Sequence, residues 1–218
     1  MRLSRFGDLL AATRHLGCQL SERYHEWKLG VSTSQIFMPE DLGYWREGYQ
    51  MYTSTDYWSF HRVLGHIDVR EQDVFLDYGS GLGRVLLMAA QYPFRRVMGV
   101  ELSAQLNERA RRNVTCCRGK FCCRYIEVIQ ADATLFVPPS DVSVIYLYNP
   151  FGPNVLPKVL DNIHQSLEAC PRELLLICKN PKYFEIEAVR RNWLSKQSKS
   201  AGLFKHTYVI YRAALSRC

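Results

Sequence analysis

From residue 74 onward, short apolar runs alternate with amphipathic stretches, and this is the clearest pattern in the chain. The runs Val74–Tyr78, Arg96–Glu101, Tyr125–Gln130, Val142–Tyr148 and Glu173–Cys178 are short and rich in Val, Ile, Leu and Tyr, which predicts strands. Between them, Arg84–Gln91, Ser103–Asn113, Val155–Ala169 and Tyr183–Trp193 predict helices, with Ser103 placed as an N-cap. Thr207–Arg212 alternates and reads as a closing strand, while the Lys- and Ser-rich Ser195–Gly202 reads as a loop or an irregular edge strand. Strand–helix alternation of this kind predicts an α/β fold, a doubly wound, mostly parallel sheet.

The first 60 residues do not share that rhythm. Residues 1–35 read as one or two helices, with Phe6, Leu9, Leu10 and Thr13 on one face and Leu16 and Leu20 extending it. Aromatics then crowd residues 36–60: Phe37, Tyr44, Trp45, Tyr49, Tyr52, Tyr57, Trp58 and Phe60. The breakers Pro39, Gly43 and Gly48 argue against one continuous helix, and Ser54 or Thr55 is placed to cap a helix from about Asp56 to Leu64. Residues 1–60 are therefore read as a helical, aromatic-rich extension and residues 61–218 as the α/β domain. The aromatic segment 36–60 can fold over a ligand at the end of the first strand or cover one side of the sheet, and both can hold.

At 218 residues, the chain can bury a core without disulfides or metal. No apolar run approaches the roughly 20 residues of a membrane span, so no membrane partner is expected. The eight cysteines are not spaced as a secreted disulfide scaffold, which favours a cytoplasmic or nuclear protein. Arg2, Arg5 and Arg14, interleaved with Leu3, Phe6, Leu9 and Leu10, keep a mitochondrial presequence open. In the cluster Cys116, Cys117, Cys122 and Cys123 the adjacent thiols strain a zinc geometry, so no metal is expected there. Cys178 reads as a buried thiol. The net charge of +7 leaves a nucleic-acid partner open, through Arg109, Arg111, Arg112, Arg118, Lys120 and Arg124 or through Arg190, Arg191, Lys196, Lys199 and Lys205. His61 and His66 read as surface or capping residues rather than a base. Oligomeric state is not readable.

The chemistry gathers at Asp77-Tyr78-Gly79-Ser80-Gly81-Leu82-Gly83-Arg84, a tight turn between the first strand and its helix. A P-loop needs Gly-Lys-Ser/Thr, and a dinucleotide fingerprint needs glycine where Arg84 stands. Asp77, ahead of the turn, would oppose a pyrophosphate and suits a cationic amino group. Glu101 closes the second strand, where a carboxylate can accept both ribose hydroxyls. Asp132 follows the third strand and can accept from an adenine amine. A nucleoside with an amino-acid tail satisfies all three, which points to S-adenosylmethionine.

On these residues the chain resembles the class I S-adenosylmethionine-dependent methyltransferases over roughly residues 55–212. The resemblance implies a Rossmann-like fold with a seven-stranded, doubly wound sheet, and a cofactor site formed by Tyr52, Thr53, Tyr57, Asp77, Gly79, Ser80, Gly81, Glu101, Leu102, Asp132, Ala133 and Asn149. It places the methyl acceptor at Tyr148-Asn149-Pro150-Phe151, after the fourth strand, where an Asn carbonyl can hold an amino group and aim its lone pair. Enzymes acting on adenine or glutamine carry a second proline there, which this chain lacks. Asp77-x-Gly79-Ser80-Gly81-x-Gly83, together with Asn149, Phe151, Gly152 and Pro153, is similar instead to the non-SET histone lysine methyltransferases, the "disruptor of telomeric silencing" family. Their tyrosine-bearing lid corresponds to Tyr52–Tyr57 here. The resemblance implies N-methylation of a protein lysine, with Tyr148, Phe151, Tyr52, Tyr57 and Trp58 around the acceptor. An RNA, DNA or small-molecule acceptor, or a non-catalytic cofactor-binding subunit, is the alternative.

Overall fold

The computed structural model describes residues 16–17, 19–38, 41, 53–148, 151–201 and 207–215. In chain order the elements are α1 (residues 19–29), α2 (Tyr57–Leu64), β1 (Val74–Tyr78), α3 (Arg84–Ala89), β2 (Arg96–Glu101), α4 (Ala104–Cys116), β3 (Ile126–Gln130), β4 (Val144–Tyr148), α5 (Leu156–Ala169), β5 (Leu174–Lys179), α6 (Lys182–Val189), β6 (Leu194–Ala201) and β7 (Thr207–Ala213). The helical reading of residues 1–15 and most of the aromatic stretch 39–52 lie outside the described residues.

Seven strands form one sheet in the order β3-β2-β1-β4-β5-β7-β6. The first five are parallel, whereas β7 runs antiparallel to β5 and β6 antiparallel to β7. The Lys- and Ser-rich segment is thus an edge strand, and its register slips between Lys196 and Ser198. An irregular, lysine-bearing edge resists pairing with another chain. Of three expected helix ends, two move and one holds. The cap of α2 is Asp56, whose carboxylate accepts from Ser59 N, rather than Ser54 or Thr55. Ser103 does cap α4, accepting from Leu106 N. The last helix stops at Val189, short of Trp193, which packs in the core instead.

β1 is buried along its whole length, as a central parallel strand must be when both faces are covered. One face packs Leu76, Tyr78, Val100 and Leu147 against Val159, Leu160 and Ile163 of α5. The other packs Phe75, Val97 and Tyr146 against Tyr57, Phe60 and Leu64 of α2 and Leu86 of α3. α2 belongs to this second core and runs through residue 60 without a break. Strand order reverses between β1 and β4, which opens a crevice at their carboxyl ends. Among the described residues no helix is long and apolar enough to cross a membrane.

Gly99 of β2 lies beside Asp77 of β1, and a Cβ added there would sit 2.6 Å from Ser80 Cβ and 2.8 Å from Leu86 Cδ1. The turn after β1 presses on that bare backbone. Gly99→Ala is expected to lower unfolding free energy by about 1–3 kcal/mol, read by denaturant titration. A wild-type midpoint would show that the turn can shift aside freely.

Candidate active site

β1 ends at the crevice, and Gly79, Gly81 and Gly83 reverse the chain with φ of 80°, 52° and 81°. Each lies in the left-handed region that costs other residues about 1–2 kcal/mol. Gly79 N and Ser80 N both donate to Val100 O, at 2.8 and 3.1 Å, so the turn is tied to the end of β2. That tie places the two acids closing β1 and β2 side by side. Asp77 is 3% exposed; burial and then the Glu101 charge push its carboxyl well above the usual range. Glu101 is also raised by burial, although backbone amides pull it back. Its Oε2 accepts from Gly81 N at 3.0 Å and its Oε1 from Ser103 N at 2.9 Å.

Among the described residues, none places a positive charge beside Asp77 strongly enough to lower its carboxyl. No described residue hydrogen-bonds the Asp77 carboxylate, and Ser80 Oγ and Asn107 Oδ1 are buried without partners. Asn107 Nδ2 is already spent on Glu101 O and Ser103 O, each at 2.8 Å. Two like charges and spare acceptors in a dry site favour a ligand that brings a cation and hydroxyl donors. S-adenosylmethionine, with its amino group and ribose, fits that donor demand. Asp132 is half-buried after β3 and forms an Asx turn, accepting from Thr134 N at 2.9 Å and Thr134 Oγ1 at 2.7 Å. Ala133 and Thr134 are anchored to α5 through Asn162 Nδ2. Leu102 is half-buried between Glu101 and the cap of α4.

Arg84, the residue that excluded a dinucleotide pattern, is 2% exposed and fastens the N-terminal region to the turn. Its Nε donates to Thr33 Oγ1 at 2.7 Å, and its terminal nitrogens donate to Glu22, Thr55 O, Glu26 and Ser34 Oγ. The guanidinium also lies 4.9 Å from the Tyr57 ring centroid. Burial raises the Glu22 carboxyl despite the arginine. Burial would raise Glu26 as well, but hydrogen bonds from Thr33 and the Arg84 charge outweigh it and leave it low. Sequence reasoning did not find this knot. Its one signal was an arginine at the start of a helix, against the dipole, where only buried carboxylates could hold it.

At the acceptor end, Asn149, Pro150 and Tyr52 lie outside the described residues. Tyr148 closes β4, half-buried, with its hydroxyl bonded to Thr53. Phe151 is 4% exposed and packs edge-on to Tyr78, 6.3 Å between centroids, on the α5 face of the sheet. Tyr57 is buried under Arg84, with its hydroxyl pushed up to about 12 by burial. Trp58 points outward, 49% exposed, beneath Arg62. His61 is engaged by the Tyr92 hydroxyl at 3.0 Å. The six described cysteines are free thiols: Cys117 Sγ accepts from Gly119 N and Cys123 Sγ donates to Tyr125 O.

Residues 37–128 match the family described as "Histone methylation protein DOT1". Over 53 residues the chain is 38% identical to the Drosophila melanogaster histone-lysine N-methyltransferase, H3 lysine-79 specific, a match covering 24% of this chain and 3% of that protein. Among solved structures it is similar to an RNA methyltransferase from Salinibacter ruber in complex with S-adenosyl-L-homocysteine, with TM-score 0.55 and 21% identity over 76% of this chain and 97% of that one. A SAM-dependent methyltransferase from Aquifex aeolicus aligns with TM-score 0.56 and 15% identity, over 71% and 89% of the two chains. The family match takes in α2, the glycine turn and Glu101, and it ends before Asp132 and the exit of β4.

Two measurements test the cleft. Because the folded Asp77 carboxyl holds its proton above the ordinary range, the free protein loses stability as pH rises from about 4 toward that raised value. A cationic amino group favours the ionised form, so S-adenosylmethionine should bind more tightly as pH rises through that window and release a proton. Calorimetry in two buffers of different ionisation enthalpy reads the release, and Asp77→Asn should abolish it. Arg84→Met leaves Glu22 and Glu26 buried without their cation and should cost about 3–5 kcal/mol in denaturant unfolding. A turn carrying three glycines and two dry acids near adjoining strand ends stand in the fold of the S-adenosylmethionine-dependent methyltransferases, and over residues 37–128 the chain is similar to the Dot1 family.

Proposed function

We propose that this protein methylates a lysine side chain of another protein. The observation that carries the reading is the sequence Tyr148-Asn149-Pro150-Phe151-Gly152-Pro153 directly after β4, the strand beside the acid-lined end of β1. The similarity of residues 37–128 to the Dot1 family supports it from the cofactor side.

In this reading Asp77 holds the cofactor's amino group, Glu101 the ribose hydroxyls and Asp132 the adenine amine, while the backbone of Gly79–Gly81 packs against the methionine part. When bound, S-adenosylmethionine supplies an electrophilic methyl group on a sulfonium. Asn149 holds the acceptor nitrogen by its hydrogens and turns its lone pair toward that methyl group. The new N–C bond forms as the S–C bond breaks, so positioning is the enzyme's main task. A lysine must first lose its proton, and a dry aromatic exit lowers its pKa. Tyr148 and the buried neighbours Tyr146 and Tyr208 make the β4–β5–β7 end such a surface.

Nucleic acid fits less well, because several of the basic groups are already paired. Arg112 meets Glu108, Arg190 and Arg191 meet Glu187, and Lys196 and Lys199 meet Glu185. The test uses labelled S-adenosylmethionine and a cell lysate, treated first with nuclease or with protease. Label should survive nuclease and vanish with protease. Asn149→Ala should lower transfer at saturating cofactor on the order of 100-fold. Label that is lost to nuclease instead would assign the acceptor to nucleic acid.

A further inference from the structure

Lys179 closes β5 and is 1% exposed. A buried ammonium needs a partner, and this one has Asp56 Oδ2 at 3.3 Å. Its Nζ also stands 4.0 Å from the centroid of Tyr148 and 5.8 Å from that of Tyr208. Strand register explains the meeting, because Tyr148, Lys179 and Tyr208 are paired neighbours across β4, β5 and β7 and share one face. Nothing in the cofactor cleft requires a cation at this point.

Asp56 lies in the segment that crosses the sheet just ahead of α2. Its Oδ1 caps α2 through Ser59 N at 2.8 Å, which leaves Oδ2 for Lys179. Thr55 Oγ1 shares a 2.9 Å hydrogen bond with the Tyr146 hydroxyl, and Thr55 O accepts from Arg84. Thr53 is bonded to the Tyr148 hydroxyl. The segment is therefore held from the cofactor side by Arg84 and from the β4–β5 side by Lys179. One face of Tyr148, the residue before Asn149, is already covered by the chain's own ammonium.

We propose that Lys179 is a positioning residue for methyl transfer. Paired with Asp56, it fixes the Tyr148 ring and the Thr53–Asp56 segment beside the strand-four exit, so that the acceptor meets a set geometry. The proposal rests on the methyltransferase reading above for its effect on rate, but not for its effect on the segment. Burial lowers the Lys179 pKa and the Asp56 charge draws it back up, in keeping with a pair that stays matched.

The test is the double variant D56N/K179M. Asparagine caps a helix about as well as aspartate, methionine keeps a straight apolar side chain, and both charges leave together, so no buried charge is stranded. The protein should fold and bind S-adenosylmethionine within about threefold of wild type. Transfer to lysate protein at saturating cofactor should fall by about tenfold or more. Amide exchange of residues 53–56 with cofactor bound should speed up by about tenfold or more. Asp56→Asn alone, in which the lysine can shed its proton, serves if the double variant does not fold and should show both changes. Wild-type transfer or wild-type exchange overturns the proposal. So does a loss of cofactor binding that matches the loss of rate, because that marks a purely structural role. If the wild-type protein labels no protein acceptor, the proposed function fails, and exchange alone then decides whether Lys179 holds the segment.

Discussion

The interaction on which the rest depends is the buried guanidinium of Arg84. It sits one residue after a glycine turn, at the positive end of a short helix, where a cation is unwelcome. Two carboxylates from α1, two hydroxyls from the following strand-like segment and the carbonyl of Thr55 satisfy it. Its planar, always-charged fork can meet so many acceptors at once, and a lysine could not. The described part of the N-terminal region is thereby fastened to the glycine turn, and α2 covers one side of the sheet, one of the two roles that the sequence offered.

The electrostatics of the crevice follow from this closure. Water is excluded from Asp77 and Glu101, which the turn brings together and which burial raises toward their neutral forms. A site that keeps two acids dry without a cation is unfavourable alone and complementary to a ligand that brings one. The positive groups of this part of the fold are spent elsewhere: Arg84 on α1 and Lys179 on Asp56. The ends of β1 and β2 are thus left acidic, while the ends of β4, β5 and β7 carry tyrosines and one tethered ammonium.

Local patterning in the sequence determined the elements and the candidate cofactor residues. Parallel strands buried on both faces read as unbroken apolar runs, and β1, β2, β4 and β5 were legible for that reason. Asp77, the glycines, Glu101 and Asp132 were legible because a strand end followed by a turn is a local signal, and each acid sits at one. Register was not local. That Lys179 lies beside Tyr148 and Tyr208, that Gly99 must lack a side chain for Ser80, and that Phe151 faces α5 all depend on how strands separated by many residues align. The cap of α2 shifted for a related reason, since Asp56 outcompetes its hydroxyl neighbours once Lys179 is beneath it. A short turn writes its geometry into adjacent residues, whereas a buried charge shows its partner only after the sheet has brought distant residues into contact.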